Sequence, residues 1–316
     1  MGSRLDSDVL MAIRRLRRHL TVWRLLAVIG FTLAVVLLIG ERNGFSGLDG
    51  DDHVARVSID GVIVADTDMI DLLDQIADDT SAKALIVDIA SPGGTFDGGE
   101  AMYSALRRIA NQKPVVAVMG GIATSGAYMT AIGADRIFAS YGTITASIGV
   151  IMQSADVTEL LDKVGIKPET IKSGALKATP NPAEKLQPDA RQQLQDVVNE
   201  LHTRFAQMVA DRRGMTLEAV LQRTGDGRIM TGARALEANL IDEIGGYTDA
   251  RAWLATAHEV GTDLPVLDWK VDDPLQWWRD GVHSAVSTIF GKSLWAERLR
   301  LDGVLALWQP SGSGGR

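Results

Sequence analysis

Residues Gly120–Tyr128 read GGIATSGAY. They place Ser125 between an apolar run ending near Met119 and a stretch of small residues suited to the start of a helix. A hydroxyl at such a turn is exposed to attack a substrate, and a helix N-terminus favours the negative charge that develops nearby. The N–H of Gly126 is one donor available to an oxyanion. The Pro92-Gly93-Gly94 loop, at the end of the preceding apolar run, can supply a second. Two preorganised donors aimed at a tetrahedral intermediate are what acyl transfer requires. The plainer reading of the same serine is an N-cap that satisfies a helix amide.

A serine nucleophile needs a base. The chain has no cysteine, which removes thiolate nucleophiles and Cys-ligated metals. Its five histidines contain no pair at metal-ligand spacing such as HExxH, and neither His53 nor His202 adjoins a loop of catalytic character. GxSxG is absent, because Ala123 and Ala127 occupy the flanking positions. Lysine remains. Lys177 stands in Ile171–Thr179, IKSGALKAT, between Leu176 and Ala178, with no acid from Thr170 to Pro182. Desolvation by such neighbours lowers a lysine pKa from about 10.4 toward the operating pH, the condition for a lysine general base. A solvated surface charge is the plainer reading of any single lysine. No metal or cofactor is called for.

These residues must be held by elements that the pattern predicts. His53–Ile59 and Gly61–Val64 read as strands around an Asp60-Gly61 turn. Asp68–Asp79 is a helix with Met69, Leu72, Leu73 and Ile76 on one face. Lys83–Ala90 is a buried strand that Ser91-Pro92-Gly93-Gly94 ends, and Gly98–Gln112 is a helix. Pro114–Met119 is a further buried strand, Ser125–Gly133 a small-residue helix and Asp135–Ala139 a strand. Gln187–Arg213 is a long helix with Leu194, Val197, Val198, Leu201, Phe205, Met208 and Val209 on its apolar face. This alternation predicts an α/β fold with a largely parallel sheet.

Charge is divided unevenly. The net charge of −8 separates into +4 over residues 1–40 and −12 over the remainder. So acidic a body excludes nucleic acid as a partner, since that requires a basic stripe. Residues 22–39, VWRLLAVIGFTLAVVLLI, are long enough for a short transmembrane anchor. The arginines at 14, 15, 17 and 18 precede it and predict a cytoplasmic N-terminus, residues 1–21. A cleaved signal peptide is the rival reading, but no Ala-x-Ala site follows the span. Residues 40–52 read as a flexible tether. The body then lies at the periplasmic or extracellular face of the plasma (inner) membrane.

From His53 to about His258 the sequence resembles the single-repeat form of the signal peptide peptidase A family, the Ser/Lys peptidases of family S49. The resemblance rests on Ser91-Pro92-Gly93-Gly94, Ala123-Thr124-Ser125-Gly126-Ala127-Tyr128 and Ala134–Ala139. Thr145-Ala146-Ser147-Ile148-Gly149-Val150 and Ile171-Lys172-Ser173-Gly174 with Lys177 complete the series, all in order and at matching spacing. Thr231-Gly232-Ala233, Ala238 and Gly245-Gly246 match the family's closing segment.

The resemblance implies a crotonase/Clp-protease-like fold of repeated ββα units over a peptidase domain at residues 53–258. It implies Ser125 as nucleophile, Lys177 as general base, Gly94 and Gly126 as oxyanion donors, and Ser147 as the second serine that supports the lysine. It further implies a homo-oligomer that brings dyad residues of neighbouring protomers together, and remnant signal peptides as substrates. Three positions depart from the family pattern: Ala127 and Ala146 where glycine is usual, and Ala90 where a polar residue is usual.

Residues 259–316 form an extension, and five of the seven tryptophans lie from residue 262 onward. Asp273-Pro274 starts a predicted helix with Leu275, Trp278, Val282, Val286 and Ile289 on one face, suited to a neighbouring protomer or to membrane lipid. Three rival functions compete with the signal-peptide reading. They are a membrane quality-control protease, a crotonase-type acyl-CoA enzyme using Glu100, and an inactive membrane scaffold.

Overall fold

A computed structural model describes residues 51–271 and Leu305–Leu307, together with Trp23 and Gly30. The chain divides into two compact units, Met1–Asp51 and Asp52–Arg316. Apart from Trp23 and Gly30, the predicted span at 22–39 lies outside the described residues, as do residues 40–50 of the tether and the predicted helix from Asp273. Among the described residues no helix is long and apolar enough to cross a membrane.

The second unit is α/β. Its first strands are β1 (His53–Ile63), β2 (Ala82–Thr95) and β3 (Val115–Thr124), joined by α1 (Thr67–Asp78) and α2 (Phe96–Ala110). All three strands run parallel, with β2 central. Helix α3 (Gly126–Ala131) follows β3 directly, and then come β4 (Arg136–Ala139) and β5 (Ile144–Ala146). A long excursion through α4 (Thr158–Lys163) leads to α5 (Pro188–Arg213) and α6 (Leu217–Thr224). The chain closes with β6 (Ile229–Thr231), α7 (Gly232–Glu237), β7 (Glu243–Ile244), α8 (Tyr247–His258) and β8 (Val266–Asp268), while Leu305–Leu307 form β9. The sheet runs β6-β5-β3-β2-β1-β8, with β4 and β7 branching from β3 and with β9 on β2.

Alternation along the strands divides the core between the two faces of the sheet. Ala55, Val57, Leu85, Val87, Val115 and Ala117 join Leu73, Ile76, Leu106, Ile109, Tyr128 and Phe205 on one side. Val54, Ala84, Ile86 and Val116 join Phe138, Ala250 and Leu254 on the other. Strands buried on both faces must read as continuous apolar runs, which is how 84–87 and 115–119 read. In α5 the buried residues are Ala190 in the first turn and Phe205, Ala206, Met208, Val209 and Ala210 in the C-terminal half. Leu194 and Val197, expected on the same face, are only partly covered.

Two expected breaks turn out to be strand. Gly61 adopts φ +70° and shifts the register between Asp60 and Val62, yet β1 continues to Ile63. Ser91–Gly94 likewise extends β2, because Val62 and Ile63 pair with Gly93 and Gly94 and keep that stretch extended. Gly94 tolerates this only as glycine: a Cβ there would lie 1.7 Å from Ile63 O.

Strand β3 forks at Gly120-Gly121. Val116–Met119 pair with β4, whereas Ile122–Thr124 pair with β5. Thr143 Oγ1 donates to Gly120 O at 2.8 Å and accepts the Ser140 N–H at 3.0 Å, which pins the fork. The end of β3 is thereby delivered to β5, with Ser125 as the next residue.

Candidate active site

Ser125 occupies the turn between β3 and α3 at φ 55° and ψ −120°. Its N–H donates to Ala146 O at 2.8 Å and its own carbonyl accepts the Met129 N–H at 2.9 Å, so both peptide groups are fixed. The residue is 2% exposed. Although it stands at the N-cap position, its side chain makes no capping hydrogen bond. Capping, the plainer role for this serine, is therefore not what the hydroxyl does. A sparsely populated backbone at a strand-to-helix turn presents the side chain in the manner of a nucleophile elbow, here without GxSxG.

The loop after β3 and the end of β2 meet at this turn. A Cβ placed on Gly126 would stand 3.2 Å from the Gly94 nitrogen. Both predicted oxyanion glycines therefore lie together beside Ser125. Helix α3 is anchored from below by Tyr128, whose hydroxyl donates to Leu240 O at 2.8 Å. Complete burial pushes that phenol well above its ordinary pKa.

Ser147 is also brought to the site. It follows Ala146, whose carbonyl holds Ser125, and its N–H donates to Arg228 O at 3.0 Å. Ala146 and Ser147 adopt φ 67° and 54°. Ala146 thus occupies a backbone conformation that glycine adopts without strain. Of the other two departures, Ala127 is fully buried inside α3 and Ala90 is exposed.

Lys177 makes no hydrogen bond to Ser125 among the described residues. It is exposed, its N–H bonded to Gly174 O at 3.1 Å. Its segment is folded on itself. Lys172 pairs with Glu184, which also accepts from Asn181 Nδ2 at 3.1 Å. The hydrogen bond from Lys172 holds the Glu184 carboxyl below its ordinary pKa. Of the two lysines in the segment, Lys172 is therefore committed to an ion pair. Glu100, the acid of the acyl-CoA alternative, is occupied by Arg204, whose Nε lies 3.0 Å from Oε1. Among the described residues no group of three or more His, Asp or Glu could hold a metal ion.

Two features escaped the sequence. Thr124 and Ser91 carry buried hydroxyls bonded to the Pro92-Gly93 loop. Strand β9 pairs antiparallel with the same loop, Gly93 opposite Leu307, Gly94 opposite Ala306 and Thr95 opposite Leu305. On β2 this lane is the one β3 occupies up to Ser91↔Ala123 before turning away into Ser125, since β1 fills the other edge. Strand β9 thus fills the lane beside the nucleophile turn as an extended segment.

Residues 107–261 match the model of peptidase family S49. A Synechocystis sp. protein provisionally named a protease is 36% identical over 222 residues, spanning 70% of this chain and 79% of its own length. An Enterococcus faecium protein provisionally named signal peptide peptidase SppA is 32% identical over 69% of this chain and 67% of its own. Among solved structures, a ClpP1 variant from Listeria monocytogenes aligns with 61% of this chain and 92% of its own, at 18% identity and a TM-score of 0.40.

Proposed function

We propose that this chain, which belongs to peptidase family S49 and is a serine peptidase, uses a Ser125/Lys177 dyad to degrade remnant signal peptides at a membrane. The observation that carries the site is Ser125: buried, uncapped, and held in a strained turn against the Gly94 and Gly126 backbone. Neutral Lys177 takes the Ser125 proton, and Ser125 Oγ attacks the peptide carbonyl. The Gly94 and Gly126 N–H groups receive the oxyanion. Protonated Lys177 then gives its proton to the departing amine, and water hydrolyses the acyl-enzyme. Ser147 supports the lysine by a hydrogen bond once Lys177 is docked.

Lys177 reaches Ser125 from a neighbouring copy. Support for this comes from the segment that carries it: Leu160, Val164, Ile166, Ile171 and Leu176 are all exposed apolar side chains, and Ile171 is 95% exposed. Such side chains suit burial against a second protomer. In this reading residues 22–39 anchor the chain, with the peptidase domain on the far side of the membrane from a cytoplasmic N-terminus.

Purified oligomer of the full chain, given a synthetic signal peptide in detergent, tests the dyad. Ser125→Ala and Lys177→Ala should each lower kcat by roughly 10³-fold or more, as removal of a nucleophile or its base does. Undiminished cleavage in either variant would exclude it. Protease protection of the body in sealed vesicles checks the topology.

A further inference from the structure

The end of β2 carries the Gly94 N–H, and although β1 still pairs with Gly93 and Gly94 on one side, β3 has left the other. Strand β3 last pairs with β2 at Ser91↔Ala123. Pro92 has no N–H to give. Gly93 stands at φ +105°, where rotation about its two soft bonds would swing the Gly94 amide.

Two side-chain hydroxyls hold this stretch where the β3 pairing ends. Thr124 Oγ1 donates to Pro92 O at 2.8 Å. Ser91 Oγ accepts the Gly93 N–H at 3.0 Å and donates to Gly93 O at 3.4 Å. The Pro92–Gly93 peptide plane is held at its oxygen by Thr124 and at its nitrogen by Ser91. The next plane, which contains the Gly94 nitrogen, is held at its oxygen by Ser91. Thr124 and Ser91 are both 0% exposed, so water cannot substitute for either hydroxyl. Thr124 is itself fixed, because it pairs with Ala146 in β5.

We infer that Thr124 and Ser91 are positioning residues that aim the Gly94 N–H at the oxyanion. Thr124 ties that donor to the nucleophile, because its own main chain leads directly into Ser125. The inference rests on the reading of Ser125 as nucleophile and Gly94 as donor.

Thr124→Val keeps the shape and removes the hydroxyl, whereas Thr124→Ser keeps the hydroxyl. Loss of a whole oxyanion donor costs about 10²–10³ in kcat, so a misaimed one should cost about 10- to 100-fold. For Thr124→Val in the full-length oligomer we expect that fall in kcat with KM unchanged, and most of it restored in Thr124→Ser. Affinity for a peptide aldehyde, whose adduct places an oxygen in the same site, should fall in parallel with kcat/KM. The pH profile of kcat/KM should not move. A Thr124→Val kcat at the wild-type level, or a Thr124→Ser variant as impaired as Thr124→Val, would overturn the inference.

Amide exchange at Gly93–Thr95, measured on a Ser125→Ala background, reads the same hydroxyls without turnover. Faster exchange on adding Thr124→Val or Ser91→Ala supports the positioning role, and unchanged exchange overturns it. Turnover that persists in Ser125→Ala alone would instead sink the nucleophile, and the exchange result would still decide whether the hydroxyls hold the loop.

Discussion

Ser125, Ala146 and Ser147 are three consecutive contacts of one turn, and each holds a positive φ without being glycine. Such conformations cost on the order of 1–3 kcal/mol apiece and persist only where the surroundings over-determine them. The Ser125 N–H to Ala146 O bond and the Ser147 N–H to Arg228 O bond do so here. Ala146 carries no side-chain function, so its strain is dispensable. Ala146→Gly should relieve it and, after the added freedom of the unfolded chain is subtracted, raise stability by about 0.5–1 kcal/mol. Denaturant melts at constant m-value check this, and a destabilised variant would contradict it. Gly126→Ala should act in the opposite sense on function. Its Cβ would press on the Gly94 nitrogen at 3.2 Å, where backbone has to give way. We expect kcat to drop about tenfold or more while the melting midpoint stays within a few degrees. Retained kcat would place the oxyanion elsewhere.

At the scale of elements, the sheet's outer edge shows how an ion pair can help one partner and strand another. Arg56 of β1 grips Asp268 of β8 through Nε at 2.5 Å and a second nitrogen at 2.9 Å. Asp88 of β2 lies 3.8 Å from the same guanidinium. Burial pushes the Asp88 carboxyl up, and Arg56 only partly offsets it, with Asp268 and Asp60 adding repulsion. The hydrogen bond from Arg56 holds Asp268 down.

The two signs differ. A raised folded-state pKa means that stability is lost as pH rises past the ordinary aspartate range. A lowered one means that stability is present above that range and lost as pH falls through the folded value. Asp88→Asn should therefore raise the melting temperature at pH 7 and leave it unchanged near pH 3. Asp268→Asn should lower it at pH 7, with the difference fading on acidification. Melting curves across pH 3–7 decide, and shifts of the same sign in both variants would refute the account.

This edge also marks what a linear reading reaches. The apolar runs at 84–87 and 115–119 announce buried parallel strands, because both faces of the sheet are covered. Ser91–Gly94 reads as a breaker, because the β1 residues that keep it extended lie about thirty positions earlier in the chain. Ser125 and its glycines were legible as a local constellation. Thr124 was not, since its meaning lies in a carbonyl 32 residues away. Lys177 stood out by its apolar neighbours Leu176 and Ala178, yet flanking residues alone do not say which side chain a lysine meets.

At the scale of the molecule, the chain's own end enters the lane beside the nucleophile turn. Leu305–Leu307 lie antiparallel on Gly93–Thr95, with Ala306 opposite Gly94. An extended segment added to an exposed strand edge gains main-chain hydrogen bonds regardless of its sequence. A peptide substrate bound in the same lane must therefore displace residues 305–307. A tethered occupant competes at an effective concentration on the order of millimolar, so even weak intrinsic affinity raises the apparent KM. Deleting residues 304–316 should lower KM for a signal peptide several-fold and leave kcat unchanged, because neither Ser125 nor the Gly94 donor is altered. A synthetic peptide spanning residues 301–310, added to the truncated enzyme, should restore the higher KM as a competitive inhibitor. An unchanged KM after truncation, or a fall in kcat alone, would show that peptides reach Ser125 by another lane.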